Sequence, residues 1–136
     1  MNTYFKDKYI DDIDVNYKDN YFSPILVYCM KKYKPKSVCD IGCGNGKFSG
    51  FLKEEFDCKL IGIDGSNYAL KKAKNFKYDK LILSGDFSNE NINLKKESLD
   101  FVICKDVLQH LINPNKLVKE IYKIQIGRAH VWTPVT

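Results

Sequence analysis

A short apolar segment running into three closely spaced glycines is the feature that most constrains how this 136-residue chain can fold. The residues Ser37–Ile41 are apolar enough to predict a parallel strand that is covered on both faces. Gly42, Gly44 and Gly46 then allow the backbone to turn tightly and to approach a ligand without interference from a Cβ atom. From residue 47 to about residue 56 the apolar side chains recur at helical spacing, which predicts a helix. A strand, a glycine loop and a helix in this order can hold a nucleoside-bearing ligand in an open α/β sheet.

The glycine spacing identifies the kind of loop more closely. It is G-x-G-x-G rather than the dinucleotide pattern G-x-G-x-x-G, and an aspartate lies two residues before the first glycine. The whole run closely resembles motif I of the class I S-adenosylmethionine-dependent methyltransferases. This resemblance implies S-adenosylmethionine as cofactor, bound by residues of the run: Asp40, Gly42, Cys43, Gly44, Asn45 and Gly46. The alternative is a tight turn that uses glycines for its shape alone.

A second acidic residue ends the next expected strand. The strand is Lys59–Asp64, and Asp64 lies close to the ~20-residue offset at which an acidic side chain binds a ribose. A carboxylate can accept hydrogen bonds from both vicinal hydroxyls of the sugar. The residues around it resemble the family's second motif, which implies cofactor contacts from Asp64, Gly65 and Ser66. The alternative is that Asp64 caps a helix, although Ser66 is available for that role.

The third expected strand, residues 80–84, is followed by Gly85, Asp86 and Phe87. In the resembled family an aspartate after this strand contacts the adenine. The resemblance implies that Asp86 accepts from the exocyclic amine and that Phe87 packs on the ring. A plain Gly-Asp turn is the alternative.

The fourth expected strand, residues 99–104, leads into a segment that resembles the family's fourth motif, where the strand end faces the transferred methyl group. The resemblance implies a backbone contact to the cofactor from Lys105. His110 is the one candidate catalytic base, because imidazole groups exchange protons near neutral pH. A structural role for His110, on a helix with apolar neighbours, is an equal alternative.

Helices are also expected at residues 23 to about 34, 67–75 and 114–124. The alternation of strands and helices predicts the α/β class, and the resemblance implies a Rossmann-like three-layer sandwich with the parallel sheet order 3-2-1-4, incomplete at the C-terminal side. Residues 21–125 form the expected cofactor-binding domain, which resembles only the cofactor-binding half of the family's fold. Residues 1–20 are expected to be a frayed N-terminal arm or a lid, with Tyr17 or Tyr21 as covering residues.

Residues 126–136 differ in composition from the rest of the chain. They hold its only arginine and its only tryptophan, whereas the preceding part is dense in Lys, Asn, Ile and Tyr. The segment resembles a translated frame of a common sequencing adapter, so we expect it to be non-native. On that hypothesis a fifth strand is absent, and strand four is left as a hydrophobic edge of the sheet.

Composition excludes several classes of protein. The net charge of +5 comes from scattered lysines without an arginine-aromatic cluster, so a nucleic-acid partner is not supported. No apolar run approaches the ~20 residues of a membrane span. The five cysteines include no Cys-x-x-Cys pair, which favours a reducing cytoplasm and no metal site.

The resemblance implies a methyltransferase acting on an unidentified small-molecule acceptor. Three alternatives remain. One is a non-catalytic accessory module of the same fold, and another is an aminopropyltransferase-like enzyme. The third, an NAD-dependent dehydrogenase, is disfavoured by the glycine spacing. Because the resemblance covers only half of the family's fold, the activity of this length of chain by itself is left open.

Overall fold

The structure, a computed structural model, describes residues 23–132, with side chains described as far as residue 126. Five parallel strands form one sheet in the order β3-β2-β1-β4-β5. The strands are β1 Ser37–Ile41, β2 Lys59–Asp64, β3 Lys80–Leu83, β4 Leu99–Ile103 and β5 Gln125–Trp132. The helices are α1 Ser23–Tyr33, α2 Leu52–Glu55, α3 Asn67–Ala73 and α4 Pro114–Ile124, with a single 3₁₀ turn at Leu108–His110. The expected N-terminal arm, including Tyr17 and Tyr21, lies outside the described residues.

The sequence-predicted strands and their order are confirmed. β1 and β2 have the predicted bounds, and β3 and β4 each end one residue earlier than predicted. In the sheet register Asp40 of β1 lies between Gly62 of β2 and Ile103 of β4. All three of these strands are buried, which explains their continuous apolar character. The α/β class with a Rossmann-like sheet is therefore established.

Two hydrophobic layers cover the two faces of the sheet. Val38 packs on the layer that includes α1 and α2, and its neighbour Cys39 packs on the layer that includes α4. This alternation follows from the two-residue period of a strand. Within residues 23–132 no helix is both long enough and apolar enough to cross a membrane.

The helix predicted at residues 47–56 is much shorter in the structure. Only Leu52–Glu55 is helical, and residues 47–51 form successive turns. Gly50 weakens helix formation here, and Ser49 places its side chain in a buried hydrogen bond instead of facing solvent. The glycine loop is therefore longer than the sequence suggested.

The predicted absence of a fifth strand is wrong for this structure. The backbone of Gln125–Trp132 follows α4 and pairs in parallel with β4, with an irregularity between Leu99 and Phe101. An unpaired edge of β4 would leave its backbone donors and acceptors without partners, and the tail supplies them. Whether residues 126–136 are native stays a prediction, which resequencing of the coding region would test.

Candidate functional site

The candidate site lies at the carboxyl ends of β1 to β4, where the glycine loop leaves β1. Gly42, Gly44 and Gly46 have φ values of +77°, +58° and +84°, a region that other residues rarely adopt. The amides of Gly42 and Cys43 both donate to the carbonyl oxygen of Ile63, at 2.7 and 3.0 Å. These two bonds hold the start of the glycine loop against the carboxyl end of β2.

Asp64 links this loop to the turn that follows β2. Its Oδ2 accepts from the Gly44 amide at 2.8 Å, and its Oδ1 accepts from the Ser66 amide at 2.9 Å. Burial raises the pKa of Asp64, while these backbone amides act in the opposite direction. The two residues that the sequence placed in one site are therefore in direct contact.

The turns after β2 and β3 lie side by side. A Cβ atom built on Gly85 would lie 3.4 Å from Cα of Gly65, and the Ser84 amide donates to the carbonyl oxygen of Asp64 at 3.0 Å. The Ser66 hydroxyl accepts from the Ala69 amide at 3.1 Å and caps α3. Ser66 therefore has the capping role that the sequence offered as an alternative for this turn.

The structure places the two expected adenine-binding residues in different surroundings. Asp86 is partly exposed and accepts from the side-chain amide of Asn89 at 2.7 Å. This bond and the weaker one from the Ser88 amide lower the pKa of Asp86. Phe87 is only 3% exposed and belongs to the hydrophobic layer on the α4 side. Most of its ring therefore packs in the core rather than facing the site.

Asp40 is buried beneath the loop, with 3% of its surface exposed. Burial raises its pKa to about 7, opposed by a hydrogen bond from the Ser49 hydroxyl and by the positive charge of Lys105. The Lys105 ammonium lies 5.0 Å from the centre of the Phe48 ring and pairs with Asp106 at 2.8 Å. Lys105 thus reaches the loop with its side chain, and its implied backbone contact to the cofactor stays a prediction.

The remaining expected site residues lie at the edges of this arrangement. Asn45 accepts from the Lys47 amide through its side chain at 3.0 Å, and the Cys43 thiol is buried. His110 is exposed on the 3₁₀ turn after β4. Val107, between β4 and that turn, approaches Gly42 so closely that a Cβ there would lie 2.5 Å from its Cγ2 atom.

Two polar residues of the site were missed by sequence reasoning. Ser49 donates to Asp40, and its oxygen lies 2.8 Å from the Tyr78 hydroxyl. The position of Ser49 between Phe48 and Phe51 on the expected helix was a possible signal for this serine. No sequence pattern points to Tyr78, which lies 29 residues after Ser49 in the chain.

The arrangement fits a nucleoside ligand that carries hydroxyl donors and a positive charge. Asp64 accepts from the backbone amides of Gly44, Ser66 and Gly65, and its two carboxylate oxygens together have about four acceptor positions, so a ribose hydroxyl can still be accepted. Asp64, together with Asp40 in its ionised form, places negative charge at the floor of the loop, which favours a cationic ligand. Among the described residues no cluster of three or more His, Cys, Asp or Glu side chains could hold a metal ion.

Comparison with known proteins identifies the family. The methyltransferase-domain family matches residues 39–130. The chain is 28% identical over 129 residues to the probable S-adenosylmethionine-dependent methyltransferase CRG1 of Saccharomyces cerevisiae, covering 91% of the chain and 43% of CRG1. It is 30% identical over 108 residues to the tRNA U34 carboxymethyltransferase of Helicobacter acinonychis, covering 75% of the chain and 41% of that protein. The chain thus spans less than half the length of either relative.

The fold is also that of a solved methyltransferase. The plantazolicin methyltransferase BpumL, solved with a desmethyl plantazolicin analogue and S-adenosylhomocysteine, superposes with a TM-score of 0.67 at 21% identity. The match covers 85% of this chain and 48% of BpumL. With the family match spanning most of the chain, this chain belongs to the methyltransferase-domain family, in the Rossmann-like class I group whose cofactor is S-adenosylmethionine.

Proposed function

We propose that this chain provides the cofactor-binding part of an S-adenosylmethionine-dependent methyltransferase. The observation that carries the proposal is the 2.8 Å hydrogen bond between the Gly44 amide and the Asp64 carboxylate. It brings the glycine loop and Asp64, the proposed ribose-binding acid, into one site, in a chain whose family is established. The non-catalytic accessory module stays the alternative, because the chain spans less than half of the relatives named above.

Bound S-adenosylmethionine supplies a methyl group on a positively charged sulfur, which makes the methyl carbon reactive without help from an acid. The protein's main task is then alignment, for which effective molarities of ~10⁵–10⁸ M are known. Asp64 would accept from the ribose hydroxyls, and Asp86 would accept from the adenine amine. The glycine loop would let the backbone approach the ligand closely, and the buried acids would favour its positive charge. Lys105, from the end of β4, would close the other side of the loop.

His110 is the proposed base for an acceptor that must lose a proton. It follows β4, on the 3₁₀ turn at the same edge of the sheet, and it is exposed and so accessible to an acceptor. Replacing His110 with glutamine should lower kcat about 10²–10⁴-fold if it is the base. The affinity for S-adenosylhomocysteine should stay unchanged, which separates a catalytic role from a structural one.

The acceptor is proposed to be a small molecule. A tRNA acceptor is the second candidate, because one relative is a tRNA U34 carboxymethyltransferase and the chain carries a net charge of +5. Incubation with methyl-labelled S-adenosylmethionine and either total tRNA or a small-molecule extract of the source cells would separate the two. Label in the tRNA fraction alone would overturn the small-molecule proposal.

Calorimetry on the full chain tests the cofactor directly. Micromolar binding of S-adenosylmethionine and S-adenosylhomocysteine, with no binding of NADH, is the expected result. Decarboxylated S-adenosylmethionine serves as the probe for aminopropyl transfer, and tighter binding of that compound would favour the aminopropyltransferase-like alternative. Absence of binding to all of these would leave the accessory module as the better interpretation.

We also place the protein in the cytoplasm. The support is that all five cysteines are free, four of them buried, as in proteins of a reducing compartment. Fractionation of the source cells, with detection of the protein in the soluble fraction, would test this placement.

A further inference from the structure

Tyr78 lies between α3 and β3, and its ring occupies space that two glycines leave open. A Cβ on Gly46 would lie 3.1 Å from Cε2 of Tyr78, and a Cβ on Gly62 would lie 3.0 Å from Cε1. Both distances are tighter than ordinary Cβ contacts. The ring is therefore seated between the glycine loop and the middle of β2, in direct contact with both.

The Tyr78 hydroxyl starts a hydrogen-bonded chain that ends at β1. It lies 2.8 Å from the Ser49 oxygen, and the Ser49 hydroxyl donates to the Asp40 carboxylate. Because a serine hydroxyl has a single hydrogen, Tyr78 is the donor to Ser49 whenever Asp40 is ionised and accepts that hydrogen. Burial raises the pKa of Tyr78 well above its usual range, so the hydroxyl keeps its hydrogen. Ser49 is fully buried, which shields this chain from competition by water.

Few regular backbone bonds hold the loop between these contacts. Residues 47–51 are turns, and the Gly50 amide donates to the carbonyl oxygen of Gly46 at 2.8 Å. The Gly46 amide donates to Cys43 at 3.1 Å. Side-chain contacts must therefore supply much of the order that a full helix would have supplied by itself.

We infer that Tyr78 is a positioning residue, whose ring and hydroxyl hold the glycine loop in the shape that receives the cofactor. The inference rests on the proposed function only in taking this loop as the cofactor site. Asp64 fixes the loop at Gly44 from the β2 side. Tyr78 fixes it at Gly46 and Ser49 from below, so the loop is held from two directions.

The variant Tyr78→Phe tests the inference, because it keeps the ring and removes only the hydroxyl. Tyr122→Phe is the matched control, since Tyr122 is 78% exposed on α4. Amide hydrogen exchange of the full chain, measured residue by residue, reports on the loop without any ligand. In Tyr78→Phe we expect the Gly46 and Gly50 amides to exchange about 3- to 10-fold faster, the equivalent of one net hydrogen bond. The amide of Ile61, in the buried strand β2, should not change.

Calorimetry with S-adenosylhomocysteine gives the second readout. Tyr78→Phe should bind it about 3- to 10-fold more weakly than the wild type, and Tyr122→Phe should bind it equally well. Ser49→Ala removes the next member of the chain and should give the same local change. In the double variant Tyr78→Phe should then add little, since its hydroxyl has lost its partner.

Several outcomes would overturn the inference. Unchanged loop exchange in Tyr78→Phe would do so, and so would equal acceleration at Ile61, which would indicate a general loss of stability. Fully additive effects of Ser49→Ala and Tyr78→Phe on loop exchange would also overturn it, because the two hydroxyls would then act independently. If one single variant folds poorly, the loop exchange of the other tests the inference by itself. If the wild type does not bind S-adenosylhomocysteine but Tyr78→Phe still shows faster loop exchange, the loop contact is supported and the proposed function is rejected.

Discussion

The buried carboxyl group of Asp40 should make the stability of this protein depend on pH near neutrality. Burial raises its pKa from 3.8 to about 7 in the folded chain. Between those two values the folded state holds a proton that the unfolded state has released. The free energy of unfolding therefore falls as the pH rises through this window, and the loss is complete above the folded pKa. A shift of about 3 units corresponds to about 4 kcal/mol.

The variant Asp40→Asn should remove this dependence. An asparagine oxygen still accepts from Ser49, but the side chain carries no charge to be buried. The variant should be more stable than the wild type, and the difference should grow by about 3 kcal/mol between pH 5 and pH 8. Urea denaturation followed by circular dichroism, at one-unit steps of pH, measures this difference directly.

A matched control separates Asp40 from the other acids. A hydrogen bond from Asn89 lowers the pKa of Asp86, so the contribution of Asp86 to stability is lost only as the pH falls below its usual range. Asp86→Asn should therefore show no growing difference between pH 5 and pH 8. A constant difference between wild type and Asp40→Asn over that range would refute the reasoning, because it would mean that Asp40 is already ionised at pH 5.

Three further predictions follow from the same contacts. Gly46→Ala should destabilise the fold by about 1–3 kcal/mol in a denaturation assay, because of its φ of +84° and the 2.8 Å approach to Phe76; Gly85→Ala, with nearest contacts of 3.4 Å, is the control and should be near neutral. Asp64→Ala should weaken S-adenosylhomocysteine binding by about 1–3 kcal/mol, with Asp64→Asn intermediate, and unchanged calorimetric affinity would remove the ribose assignment. Lys53→Ala should lower the unfolding free energy by less than about 1 kcal/mol, since its pair with Asp79 is partly exposed, and a larger loss would contradict that estimate.

Much of the site could be predicted from the sequence because it follows from local chemistry and sheet geometry. The glycines predict a loop with unusual φ values, and all three have them. Gly44 follows β1 and Asp64 is the last residue of β2, and these two strands are parallel neighbours. The two residues must therefore meet at the same edge of the sheet. The length and type of most elements followed in the same way from hydrophobic periodicity.

The remaining features were decided by tertiary packing. Residues 47–51 have helical spacing, yet the buried bond from Ser49 and the glycine at position 50 keep them in turns. Tertiary packing also buries Phe87 in the hydrophobic layer on the α4 side, and its contact with adenine stays a prediction. The backbone of residues 125–132 pairs because β4 presents an open edge, a property of the assembled sheet rather than of the segment.

The sequence by itself determined the positions of the first four strands, the positive φ values of the three loop glycines and the acid that contacts the loop. Only the tertiary structure decided that Tyr78 would lie beneath that loop. The Tyr78 ring can occupy the space beside Gly46 and Gly62 only after β1, which leads into the loop, has paired with β2. A buried chain from Tyr78 to Asp40 likewise requires the sheet and its covering layer to exclude water first.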